Sequence, residues 1–253
     1  MDTTRPALRL FVLHHAGGSH TLYRHWPAGL PDTWDVRLLD APGHGLLLDQ
    51  PPIPDAGRLA DFLLRRIEPE PACPWALFGH SMGALLTYEI TRRAVDRGMP
   101  PPVWAGVSAR AAPRWARRGS GYHELPDAEL RTRLKRLGGT PDGVFDDPDL
   151  WALFDPIIRA DLRLVETWRP TPGAGPLPVA LSAFAGVGDH AAPPSRMAGW
   201  EEHTERFLGL RVFGGGHFYF LDDPRPLLRQ IERDASAALE AAGATRPSRT
   251  PLR

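Results

Sequence analysis

The chain has 253 residues, 42% of them hydrophobic and 24% charged, enough to bury a sizeable core in one domain or at most two. Its 25 glycines and 28 prolines fall short of a low-complexity composition, which excludes pervasive disorder. The 30 basic and 30 acidic residues cancel, so no global field exists to hold nucleic acid or an anionic membrane.

In chain order, Leu8–Leu13 (LRLFVL) reads as a first strand that ends in the loop HHAGGS. Asp35–Leu39 reads as a second, ended by DAPGHG. Trp75–Phe78 is a third, set between Pro74 and Gly79. A helix follows over Met82–Arg97, with Leu85, Leu86, Ile90 and Ala94 near one face and Gly98 as its stop. Val103–Ser108 is a fourth strand. From Arg114 to Trp168 no strand-like run appears. Helical stretches take its place over Asp127–Leu137, Asp149–Ile158 and Ala160–Trp168, with GGTPDGVFDDP separating the first two. Val179–Phe184 and Leu210–Phe213 are the fifth and sixth strands, and Leu227–Ala242 is a final helix.

Short apolar strands alternating with helices specify an α/β sheet. Runs that are mostly apolar, rather than alternating, suit parallel strands covered on both faces. The expected organisation is a core over 1–113 and 169–243, a helical lid inserted over 114–168, and a disordered tail over 244–253.

The single cysteine, Cys73, excludes an intrachain disulfide and a Cys-rich zinc site. The first apolar run, residues 7–13, is broken by Arg9 and is too short for a signal peptide, and no stretch approaches a membrane span. A cytoplasmic protein is expected. No H-E-x-x-H and no G-x-G-x-x-G opening a helix after a strand occurs, so neither a metal nor a dinucleotide cofactor is expected. Lys135 is the only lysine; the arginine run Arg114, Arg117 and Arg118 offers a surface for an acidic partner.

Gly79-His80-Ser81-Met82-Gly83 matches the G-x-S-x-G elbow. A serine that projects from a tight strand-to-helix turn needs small residues on both flanks, and the flanking strand and helix supply the right context. Ser81 is therefore the candidate nucleophile. A serine hydroxyl needs a base, and this topology orders its triad Ser, Asp, His along the chain. His217, in FGGGHFYF after the last strand, is the candidate base. Asp189, in the glycine-rich loop after the fifth strand, is the candidate acid, with Asp161 and Asp222 as weaker rivals. The oxyanion hole needs two backbone N–H groups: one from Met82, the other from Ala16 or Gly17 in the HHAGGS loop. His14 and His15 would point to opposite faces, and His80 would pack beneath the nucleophile.

HHAGGS, YRHW, APGHG, GHSMGA, ELPDAELRTRLKRLGGTP and LRVFGGGHFYF occur in this order across residues 8–221. Together they resemble the stand-alone type II thioesterases of polyketide and non-ribosomal peptide biosynthesis. The resemblance implies an α/β-hydrolase fold, with a mostly parallel central sheet flanked by helices and an inserted helical lid. It implies Ser81, Asp189 and His217 as the triad, and Ala16 and Met82 as the oxyanion hole. The implied substrate is an acyl thioester on the phosphopantetheine thiol of an acyl or peptidyl carrier protein, cleaved without a cofactor. Two positions depart from the family pattern: His14-His15 stands where an aromatic after proline is usual, and His190-Ala191-Ala192-Pro193 where a valine is usual. The same triad also serves carboxylic ester hydrolases, and transferases or cyclases that use a nucleophile other than water, so the motif leaves these open.

Overall fold

The six apolar runs pair into one sheet. β1 (Leu8–Leu13), β2 (Trp34–Leu39), β3 (Trp75–His80), β4 (Trp104–Ser108), β5 (Leu177–Gly186) and β6 (Thr204–Phe213) lie in the order β2-β1-β3-β4-β5-β6. Every neighbouring pair is parallel. The structure is a computed structural model, and it describes residues 5–67, 73–116 and 121–244.

Alternation along β1 shows how the sheet is buried on both sides. Phe11 and Leu13 join the core formed with α1 (Ala56–Ile67) and α2 (Met82–Asp96). Leu8, Leu10 and Val12 join the core under α7 (Arg225–Ala244). Burying side chains of this kind stabilises each by about 1.5–3 kcal/mol, and a strand that does so on both faces reads as one apolar run. β6 begins six residues earlier than the expected Leu210. Its first half carries the exposed Glu205 and Arg206, which an edge strand tolerates and a buried one does not.

The connections place the site. The chain leaves β1 toward one face through Tyr23, Trp26 and Leu30, and leaves β3 toward the other face through α2. Adjacent parallel strands whose exits diverge open a crevice at their carboxyl ends. Leu13 is level with Gly79 and His80 with Ser108, so the HHAGGS loop, Ser81 and the end of β4 meet there.

Between β4 and β5 lie α3 (Asp127–Leu137), α4 (Asp142–Asp146) and α5 (Pro148–Thr167), with a small core of their own in Leu130, Leu134, Phe145, Trp151 and Ile158. Asp149–Ile158 and Ala160–Trp168, expected as two helices, are one. Pro156 inside α5 removes a single N–H donor, and the flanking turns hold regardless. Asp147 caps the start by accepting from Asp149 and Leu150 N–H, and the stripe Trp151, Ile158, Leu164 is buried along the length. α6 (Pro194–Met197) follows β5. Of the expected tail, Ala244 closes α7 and residues 245–253 lie outside the described residues. Among the described residues no helix is long and apolar enough to cross a membrane.

Arg159, at the expected break, is the residue that ties the insertion together. Its Nε donates to both Asp155 oxygens at 2.8 and 2.9 Å, its Nη1 to the His123 and Leu125 carbonyls at 3.0 and 2.8 Å, and its Nη2 to Asp127 at 2.7 Å. Replacing it with alanine strips two backbone carbonyls of their donor. Amide exchange in α3 is then expected to quicken relative to β3, read by hydrogen–deuterium exchange of Arg159→Ala against the wild type; equal protection in α3 would count against this role.

Candidate active site

Ser81 joins β3 to α2 with φ 55° and ψ −110°, a left-handed conformation that a non-glycine residue adopts only when its surroundings enforce it. The Ser81 N–H donates to the Ser108 carbonyl at the end of β4, and the Ser81 carbonyl accepts from Ala84 and Leu85. The flanking glycines are required by contact. A Cβ on Gly79 would stand 2.0 Å from the Gly83 carbonyl oxygen, and one on Gly83 would stand 2.3 Å from that of Leu13. The G-x-S-x-G pattern thus lets the first turn of α2 rest on the end of β1.

The turn aims the Ser81 hydroxyl at His217, to whose Nε2 it donates at 3.1 Å. The Nδ1–H of His217 donates to Asp189 Oδ2 at 2.8 Å. Asp189 Oδ1 accepts from the N–H groups of Ala191 and Ala192 at 2.8 and 3.0 Å. The two loops are joined by backbone bonds, Val187 N–H to Phe213 and Gly188 N–H to Gly215, both 2.8 Å. The HAA stretch after Asp189, which departs from the family pattern, thus supplies the amides that hold the acid. Burial opposes ionisation of Asp189; the hydrogen bond and charge of His217, with the two amides, outweigh it and hold the pKa below the ordinary value.

The rivals are elsewhere. Asp222 is exposed, and Asp161 bonds Gly17 and His44. The bond from Gly17 N–H to Asp161 also removes Gly17 as an oxyanion donor. Among the described residues the N–H groups of Ala16 and Met82 donate to no protein acceptor.

His14 and His15 do point to opposite sides, His14 toward His44 and His15 toward Phe218 and His80. His80 packs on the His217 ring, 5.1 Å away between centroids. Its Nδ1, the Ser108 hydroxyl and the Tyr219 hydroxyl form a chain with links of 2.9 and 2.8 Å, which no local spacing encodes because it joins the ends of β3 and β4 to the loop after β6. Burial drives the His15 pKa down to about 3 and lowers that of His80 well below its ordinary value. Both rings are therefore neutral at physiological pH and place no positive charge against His217.

Beside the HHAGGS loop opens a cavity of about 440 Å³, lined among others by His15, Leu22, Leu48, Val144, Phe154 and Ile158. Three of these come from the helical insertion. Gly139, in the turn after α3, packs on the Phe218 ring next to His217. Of the arginine run, Arg114 pairs with Glu202, and Arg117 and Arg118 lie outside the described residues.

Residues 8–235 match the family described as thioesterase domain. The chain belongs to this thioesterase family. Among solved structures the thioesterase is similar to the type II thioesterase BorB of the borrelidin biosynthetic cluster, with 36% identity, 93% of this chain and 96% of that one covered, and a TM-score of 0.81. It is similar to RedJ, the thioesterase of the prodiginine biosynthetic pathway in Streptomyces coelicolor, with 33% identity, 92% and 87% coverage and a TM-score of 0.83. Thioesterase PikA5 of Streptomyces venezuelae is 32% identical over 231 residues, covering 89% of this chain and 80% of its own. These relatives bear out the α/β-hydrolase fold and the type II thioesterase resemblance.

Two outcomes are expected of this thioesterase. Gly83→Ala forces α2 away from β1, and its urea midpoint is expected to fall by the equivalent of about 1–3 kcal/mol, the usual cost of overpacking, or more. Asp189→Asn is expected to lower kcat about 10⁴-fold, measured on any acyl substrate the wild type turns over. The same variant carries a pH signature. With its folded pKa below the unfolded one, Asp189 contributes stability that is complete above about pH 4 and lost as pH falls through the folded value. The stability gap between wild type and Asp189→Asn therefore shrinks on acidification; a gap that widens would contradict the arrangement.

Proposed function

We propose that the thioesterase hydrolyses acyl groups from the phosphopantetheine thiol of acyl or peptidyl carrier proteins, clearing stalled or misprimed chains in antibiotic-type biosynthesis. The observation that carries the reading is the 3.1 Å link from Ser81 to His217 on an enforced elbow, within a chain of this family.

The reaction runs in two halves. His217 Nε2 takes the Ser81 proton as Oγ attacks the thioester carbonyl carbon. The oxyanion rests on the N–H groups of Ala16 and Met82, and one such donor is worth about 10²–10³ in rate. The C–S bond then breaks, and the departing pantetheine thiolate takes the proton from the His217 imidazolium. In the second half a water gives its proton to His217 and attacks the acyl-serine; the C–O bond breaks, Ser81 recovers the proton, and the carboxylic acid leaves. Asp189 holds the Nδ1–H tautomer throughout and stabilises the imidazolium. Every step moves a proton or an acyl group, so the scheme calls on no cofactor; the phosphopantetheine enters with the substrate.

The 440 Å³ cavity is the place for the acyl chain, with the helical insertion as its lid, since Val144, Phe154 and Ile158 line it from that side. The acidic surface of the carrier would meet the arginine run, Arg114, Arg117 and Arg118. Hydrolysis of a panel of acyl-phosphopantetheinyl carrier proteins, beside the matching oxygen esters, tests the reading. Thioester cleavage that Ser81→Ala abolishes, with esters poorly used, is expected. Equal use of esters would favour a general esterase, and a lactone or transferred acyl product in mass spectra would favour a cyclase or transferase.

A further inference from the structure

Asp161 in α5 is 2% exposed and is left over once Asp189 is the acid. Its Oδ2 accepts from the Gly17 N–H at 2.7 Å and from His44 Nε2 at 2.8 Å. The other ring nitrogen of His44 lies 3.0 Å from the Pro42 carbonyl oxygen. Both nitrogens of His44 face acceptors, and a neutral imidazole has only one N–H to give them. Burial works against the charge on His44, but Asp161 and the surrounding carbonyls outweigh it and raise the pKa. Asp40, the other carboxylate nearby, is occupied by the His20 ring and by the N–H groups of His20 and Leu46. His14, whose ring lies tilted against that of His44 with centroids 4.6 Å apart, is shifted the opposite way. Its Nδ1–H donates to the His15 carbonyl, its Nε2 accepts from Ala41 N–H, and burial lowers its pKa to about 4.

These bonds fix the two peptide planes that flank Ala16. In the first, the His15 carbonyl accepts from His14 and from Gly18 N–H at 3.0 Å. A trans peptide points its N–H opposite its C=O, so those bonds aim the Ala16 N–H. In the second, the Gly17 N–H is held by Asp161, and Ile158, one turn away on α5, packs on Gly17 itself. Gly17 stands at φ 74°, one of several conformations about equally open to glycine, so its own residue type does not hold it there.

We propose that Asp161 and His44 are positioning residues: a buried brace through which α5 of the helical insertion aims the Ala16 N–H at the oxyanion. The insertion then does more than cover the site, because its placement sets whether the hole is complete. The inference rests on Ser81 as nucleophile and Ala16 as donor, and needs no carrier protein to test.

Two readouts isolate it: the rate of Ser81 labelling by a fluorophosphonate, and the affinity for an alkyl boronic acid, whose adduct with serine places an oxygen in the hole. Asp161→Ala is expected to slow labelling and weaken the boronate by about 10- to 100-fold, part of the roughly 10²–10³ that a whole donor is worth. KM for a small thioester should shift by less than about threefold. Asp161→Asn keeps an oxygen for the Gly17 N–H and should recover part of the loss, with His44→Gln similarly impaired. A merely structural role would lower the melting temperature and leave boronate affinity per folded molecule unchanged; that result, or wild-type labelling in all three variants, overturns the brace. If Asp161→Ala does not fold, wild-type behaviour of Asp161→Asn and His44→Gln overturns it equally. A wild type that is not labelled at Ser81 would bring down the nucleophile reading, and the brace with it.

Discussion

The left-handed backbone of Ser81 is the constraint from which the rest of the site is laid out. A non-glycine residue held there costs on the order of 1–3 kcal/mol, and the fold meets that cost with contacts on three strands. The serine amide is tied to the end of β4, its flank at Gly79 is pressed by the first turn of α2, and Gly83 rests on the last carbonyl of β1. The elbow and the HHAGGS loop are thereby locked together, which fixes the spacing between Met82 and Ala16. β4 is in turn in register with β5, Ser108 beside Phe184, and this sets the point from which the Asp189 loop departs.

The charges around the triad follow from burial. Four histidines other than His217 crowd the crevice, and His14, His15 and His80 have lowered pKa values because desolvation dominates. The one with a raised value, His44, faces a carboxylate. Beside the HHAGGS loop His44 thus faces the buried Asp161 carboxylate, and beside His217 lies Asp189, its pKa held below the ordinary value. The His217 ring thus bonds the Asp189 carboxylate on one side and packs on the desolvated His80 ring, whose pKa is lowered, on another.

Much of this was legible in the residues. The four central strands, buried on both faces, appear as apolar runs, the two edge strands show only through a shorter apolar stretch, and each candidate triad residue sits just past a strand end. What escaped did so for physical reasons. The start of β6 is an edge and carries charge. α1 places Leu59, Leu63 and Ile67 at fourfold spacing, a signal present but short and shadowed by the prolines before it. α5 ran on through Pro156 because its cap and buried stripe outweigh one missing donor. The pair of His44 with Asp161 joins residues 117 positions apart, and no local spacing encodes such a contact. Asp161 was noticed as a carboxylate and placed in the wrong company.

The small core of the helical insertion has a consequence for how such a protein diversifies. While Leu164 further along α5 joins the core against α2, Leu130, Leu134, Phe145 and Trp151 pack among themselves within the insertion. Drift in its inward side chains, Val144 or Phe154, changes the walls of a cavity without moving a strand. A change at Asp161 has no such freedom, since its buried carboxylate holds both the Gly17 N–H and the His44 ring. One helix thus lines the cavity with Phe154 and, two turns further on, holds the Gly17 amide with Asp161, so a shift of α5 would alter the cavity wall and the loop together.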